Sequence, residues 1–194
     1  MTSEPPLVLA SGSPRRKDIL RALGLNFSVQ LVDVDEQRLA GESAEQMVLR
    51  LARAKAAAAI ANDGELVIGA DTAVVLGDQI LGKPLDQSDA VTMLLRLSGQ
   101  THRVMTGVAL RGSPGIQDAL SCSTVKFRVI RRDEAQAYWH SGEPRDKAGA
   151  YAIQGLGGVF VERLEGSYSG VVGLPVYETA ELLRAAGVRV INKL

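Results

Sequence analysis

The segment Ser11-Gly12-Ser13-Pro14-Arg15-Arg16 gathers two hydroxyls, a glycine and two guanidinium groups at the start of a predicted helix. A helix N-terminus presents unpaired N–H groups and partial positive charge, so it attracts anions, and arginine suits bidentate contact with phosphate. The same residues also read as an ordinary capped helix with solvated arginines, and the segment alone does not separate the two. Lys55 lies i+4 from Leu51, on the edge of an apolar stripe formed by Met47, Leu51 and Ala58, with Glu45 and Arg53 on the opposite side. A lysine there either snorkels outward or points into a polar cleft. Asp71 directly follows the apolar run Leu66–Ala70, at the predicted C-terminal end of a buried strand. Ligands bind at that end in parallel sheets, although an aspartate there also serves as a turn cap. Glu36, in Asp33-Val-Asp-Glu36, offers a second carboxylate or is a solvated loop acid. Two carboxylates beside a polyphosphate would hold magnesium, because hard cations choose oxygen and bridge phosphate oxygens.

Other candidates carry less. Gly77-Asp-Gln-Ile-Leu-Gly82-Lys83 matches most of a Walker A loop, but Pro84 stands where Ser or Thr must bind magnesium, and the segment reads as a hairpin. Lys83 remains available to phosphate from that hairpin. In Asp146-Lys-Ala-Gly-Ala-Tyr151-Ala-Ile-Gln154-Gly-Leu-Gly-Gly158 the small residues would admit close approach of a ligand, with Gln154 reading a base edge; a tight bend between strands is the plainer alternative. His102 and His140 are too few and too far apart to suggest a metal site. The one cysteine, Cys122, excludes an internal disulfide and sits in a strand-like stretch, where a buried structural thiol is expected.

The elements that must position these groups follow from periodicity and punctuation. Strands are predicted at Leu7–Ala10, Leu66–Ala70, Ala73–Leu76, Gln79–Leu81, His102–Leu110, Thr124–Ile130 and Val188–Ile191. Helices are predicted from Pro14 to about Leu23 with Ser13 as N-cap, from Ser43 to about Ala61 with Gln46 completing a capping box, and near Ser88–Leu97, Asp133–His140 and Pro175–Ala186. The glycine-rich stretch from 149 to 173 is expected to be loop and strand. This mixture indicates α/β or α+β with mixed sheets, in a chain long enough for one sizeable core or two lobes. Twenty-two basic and twenty-two acidic side chains give no net charge, which argues against a general nucleic-acid binder. The first residues lack the pattern of a secretory leader and no apolar run reaches membrane-spanning length, so a cytoplasmic location is expected.

Taken together, LASGSPRR at 9–16, RLARAKA at 50–56, GADT at 69–72, LGKP at 81–84 and SGQTHRVMTG at 98–107 resemble the Maf nucleoside triphosphate pyrophosphatases. SGEPRDKAGAYAIQGLGG at 141–158 and GSYSGVVGLP at 166–175 extend the resemblance over nearly the whole chain, in order. It implies one domain over residues 1–194, with a two-lobed α/β mixed-sheet fold similar to inosine-triphosphatase-like hydrolases and the substrate in the cleft. It also implies hydrolysis of a nucleoside triphosphate to monophosphate and pyrophosphate with a divalent cation (Mg, Mn or Co), and a homodimer. Asp71 matches the general base; Glu36, Lys55 and Lys83 match the polar residues around the triphosphate, Glu36 and Asp71 being the metal candidates. Ser11, Arg15, Arg16, Thr72 and Gln154 are the matching substrate contacts. The Pro-Arg pair, GADT and the Ile-Gln-Gly segment resemble the dTTP/UTP branch rather than the one acting on 7-methyl-GTP. A 7-methyl-GTP enzyme, a nucleotide sensor without turnover and a non-catalytic regulator of septum formation are the competing readings.

Overall fold

A computed structural model of the chain describes residues 5–113 and 115–191. The order is β1 (Leu7–Leu9), α1 (Pro14–Ala22), β2 (Phe27–Val29), α2 (Ala44–Ala58), β3 (Leu66–Leu76), β4 (Gln79–Leu81), α3 (Gln87–Leu97), β5 (Thr101–Gly112) and β6 (Gly115–Phe127). Then come α4 (Arg132–His140), 3-10 turns at Glu143–Asp146, Ala148–Ala150 and Leu156–Phe160, β7 (Val161–Glu165), α5 (Tyr168–Val172) and α6 (Val176–Ala185). Strands bond in the order β2-β1-β3-β5-β6-β7, with β4 on β3. β1 runs parallel to β2 and β3, while β4 is antiparallel to β3 and β7 to β6, so the fold is α/β with a mixed sheet. Among the described residues no helix is long and apolar enough to cross a membrane.

Two compact units result. The first takes Met1–Asp71, Thr106–Ser121 and Gly173–Leu194. Alternation along β1 sends Leu7 and Leu9 into a core with Leu20, Ile68, Val108 and Leu183, and Val8 and Ala10 to the other face with Ala59 and Val67. On that second face α2 lies almost directly on the sheet backbone. A Cβ at Gly69 would stand 2.2 Å from the Ala52 carbonyl oxygen, and one at Gly107 2.5 Å from that of Val48. The second unit takes Thr72–Met105 and Cys122–Val172, and is centred on Leu94, Leu97, Val104, Phe127, Tyr151 and Phe160.

Several expectations change. The strands near 102–110 and 124–130 are longer at their facing ends, and β5 and β6 run almost to each other across residues 113–114, while residues 128–130 lie outside β6. The expected strand at 188–191 does not form. Val188 N instead donates to Leu183 O at 2.9 Å and Gly187 N, at φ +84°, to Arg184 O at 3.1 Å. These bonds close α6 as a Schellman motif and bury Val188 beneath it. Cys122 is exposed, not buried, because alternation on β6 turns Ser121 and Ser123 inward and Cys122 outward. The glycine-rich stretch holds loop and a strand, β7, as expected, but also 3-10 turns and the short helix α5. The reading of the extreme N-terminus as no leader falls mostly outside the described residues.

Candidate active site

β1 stops at Leu9, Ala10 N still donates to Ile68 O at 2.8 Å, and the chain then leaves the sheet at the C-terminal end of its parallel strands. Pro14, pre-set in φ, opens α1 at N1. Ser13 occupies the N-cap position, but its side chain makes no cap bond, contrary to the expectation. Its backbone N donates instead to Ser11 Oγ at 3.3 Å, which draws the loop in on itself. Buried Ser11 also accepts from Arg16 Nη1 at 3.0 Å, and Arg16 Nε donates to Gly173 O at 2.8 Å. The first turn of α1 thus has two half-buried arginines and no acid. Burial holds the Arg16 guanidinium below its ordinary value, opposed by attraction from Asp71 and joined by repulsion from Arg15. Arginine remains charged at any relevant pH.

The Ser43–Gln46 capping box forms as expected, with Gln46 N donating to Ser43 Oγ at 3.2 Å and Ser43 N to Gln46 Oε1 at 2.9 Å. From that start α2 carries Lys55 down onto the sheet. Lys55 does not snorkel: its side chain is 11% exposed, its Nζ donates to Asp71 Oδ1 at 2.8 Å, and it pairs with Glu36 Oε1 at 2.5 Å. The close approach at Gly69 makes this reach possible, since Asp71 points to the same face of β3 as Gly69. Asp71 lies within β3, not at its end. The parallel register with β1 ends at Ile68, and β3 runs on because Val74 and Val75 pair antiparallel with β4. Asp71 is therefore past the end of the parallel pairing, although the strand continues.

Glu36 is held by residues that periodicity does not reveal. Buried Glu42 takes a fork from Arg50, Nε to Oε1 at 2.5 Å and Nη2 to Oε2 at 2.9 Å, while Nη2 also donates to Gln37 O at 3.0 Å. Leu39 N adds a bond to Glu42 Oε2 at 3.1 Å. The residue after Glu36 is thereby fastened to the helix that carries Lys55. The Arg50 bond holds the Glu42 carboxyl down at about 2. The only sequence signal was an acid just before the N-cap and an arginine two turns on, which is too common to weigh.

Ser11, Arg15, Arg16, Glu36, Lys55 and Asp71 all belong to the first unit, and Thr72, Lys83 and Gln154 to the second. Thr72 follows Asp71 in β3 and, by alternation, faces the other side of the sheet. Lys83 is exposed just after β4, and Gln154 is exposed in a turn between Tyr151 and the Leu156–Phe160 3-10 segment. The Walker A decoy is indeed a hairpin, turning at Gly77 with φ +59° and followed by β4, with no helix before Gln87. Among the described residues no group of three or more His, Cys, Asp or Glu could hold a metal, so Glu36 and Asp71 are at most a two-carboxylate set.

The first unit of this mixed α/β fold thus holds a lysine, two carboxylates and an arginine-bearing helix start. The chain belongs to the Maf family: the family described as Maf-like protein matches residues 6–186. A dTTP/UTP pyrophosphatase of Hahella chejuensis is 52% identical over 188 residues, covering 95% of this chain and 94% of that protein. Proteins of the same name from Shigella sonnei and Vibrio cholerae are each 52% identical over 179 residues, covering 91% of this chain and 91% and 96% of theirs. A solved HAM1 protein from Coxiella burnetii superposes with a TM-score of 0.46 at 15% identity, over 63% of this chain and 73% of that one.

Proposed function

We propose that this protein hydrolyses dTTP and UTP to the nucleoside monophosphate and pyrophosphate. The observation that carries the reading is Lys55, nearly buried and shared between Asp71 and Glu36. The name borne by its 52% identical relatives supports the substrate. Water attacks the α-phosphorus, the new P–O bond forms, and the bond to the β-phosphate breaks with pyrophosphate leaving. Asp71 takes the water proton. Lys55 donates to Oδ1, which orients the carboxylate. Arg15, Arg16, Lys55 and Lys83 share the phosphate charge, while Ser11 shapes the loop, and held pyrophosphate oxygens lower the barrier as well as the binding energy. The α1 start supports an anion there, since the Ser13 side chain makes no cap bond and no acid sits in its first turn.

The donor chemistry of Asp71 and Glu36 fits a divalent ion such as Mg, Mn or Co, because such ions are held by one or two carboxylates and complete their shell on substrate phosphates. When bound it would neutralise charge on the phosphates. Thr72 and Gln154 are read as substrate contacts, Gln154 at the base. A homodimer in the cytoplasm remains part of the reading.

The test is pyrophosphate release by wild type and Asp71→Asn on dTTP, UTP, CTP and 7-methyl-GTP, with magnesium and with chelator. Wild type should prefer dTTP and UTP and lose activity on chelation, and Asp71→Asn should be slower by roughly 100-fold or more. An unchanged rate in Asp71→Asn removes the base, and equal or faster turnover of 7-methyl-GTP removes the branch. A folded wild type that binds nucleotide without turnover leaves only the sensor or regulator readings.

A further inference from the structure

Gln154 sits in a turn whose two flanks are both fastened to one side-chain pair. The turn is closed by Gly155 N donating to Ala152 O at 3.2 Å. On its near flank Ala152 N donates to Tyr138 Oη at 3.1 Å. On its far flank Leu156 N donates to Glu143 Oε2 at 2.9 Å and Gly157 N to Glu143 Oε1 at 3.0 Å. Tyr138 Oη donates in turn to Glu143 Oε1 at 2.5 Å, which joins the two flanks into one bracket.

Gly155 and Gly157 are explained by the bracket. A Cβ at Gly155 would stand 2.1 Å from Glu143 Oε2, and one at Gly157 2.5 Å from Tyr138 Oη. The backbone is thus pressed against the protein's own carboxylate and phenol, where the sequence allowed a ligand. Burial pushes the Glu143 carboxyl up, but the bonds from Tyr138, Gly157 and Leu156 outweigh it and hold the group ionised. All of these residues lie in the second unit.

We propose that Glu143 and Tyr138 are a positioning pair that fixes the Ile153–Gln154 turn and so sets base choice. The inference rests on the reading of Gln154 as the contact to the base. Uracil and thymine present an N–H between two carbonyl oxygens, whereas cytosine presents a bare ring nitrogen beside an amine. An amide discriminates between these patterns only if it is held in place, since it carries both a donor and an acceptor.

Two variants of the full chain test this, Glu143→Gln, which replaces an accepting oxygen by a donor at constant size, and Tyr138→Phe. Amide exchange at Leu156 and Gly157 should quicken about tenfold in Glu143→Gln, and less in Tyr138→Phe. The ratio of kcat/KM for UTP over CTP should fall by roughly fivefold or more, chiefly through a higher KM for UTP. Unchanged exchange, a ratio within about twofold of wild type, or an equal loss of kcat on both nucleotides overturns the proposal. Gln154→Ala separates the two layers. A wild-type ratio in that variant removes Gln154 as base contact, while exchange in Glu143→Gln still judges the bracket without any nucleotide.

Discussion

Arg16 shows how much one side chain decides in the first loop. Its guanidinium ties Ser11 Oγ to Gly173 O in a single fork, so it shapes the loop before any phosphate arrives. A lysine has the charge but not the fork, and cannot hold both partners in plane. Arg16→Lys should therefore raise KM for UTP about tenfold, the equivalent of one lost charge-assisted bond, with a smaller change in kcat. Steady-state pyrophosphate release measures both, and an unaltered KM would show that the loop keeps its shape without the fork. Glu42 and Arg50 do the corresponding work for Glu36, which at 50% side-chain exposure would not stay on Lys55 by burial alone.

At the scale of elements, the decisive feature is how closely α2 lies on the sheet. Ala52 and Ala56 on the helix meet Gly69 on β3, and Gly107 on β5 lies under Val48, so backbone meets backbone. Gly107→Ala forces α2 outward or strains it, at a cost of about 3 kcal/mol by the usual penalty for overpacking. Urea unfolding should show that loss, and the rate should drop too, because lifting α2 draws Lys55 from Asp71. A variant with wild-type stability would mean that the contact relaxes freely. The sequence made α2 legible through its capping box and apolar stripe, and the hairpin through Gly77-Asp78. It did not show that glycines on two strands were the seat of that helix, since each faces a residue far away along the chain.

Across the whole molecule, the clearest pH signature comes from the second unit's core. His102 is 1% exposed, its Nε2 is 2.9 Å from Tyr151 Oη, its Nδ1 is buried without a hydrogen-bond partner, and it meets Phe127 edge-on at 4.8 Å. Burial pushes its pKa down to about 4. Between pH 6.5 and about 4 the unfolded chain takes up a proton that the folded chain refuses, so stability is full above that window and falls through it. The loss has a ceiling of about 3 kcal/mol. Denaturant unfolding at pH 7 and pH 4.5 should show most of it, and His102→Gln should flatten the slope between those points. Carboxylates held low add their own loss at lower pH, with Glu42 persisting until about 2. An equal slope in His102→Gln would assign the effect elsewhere.

By itself the sequence determined what is local: the helix starts, the strand that opens the chain, the hairpin that rules out a P-loop, and an aspartate set just past an apolar run. Such signals act over a turn of helix or a pair of strand residues, so a single stretch of chain contains them. It also left two possibilities for Lys55, and only the tertiary structure chose between them, because the carboxylates that receive its ammonium come from β3 and a distant loop. Gly155 and Gly157 answered to Glu143 and Tyr138 for the same reason. In each case the deciding neighbour is brought by the fold, and periodicity along the chain carries no trace of it.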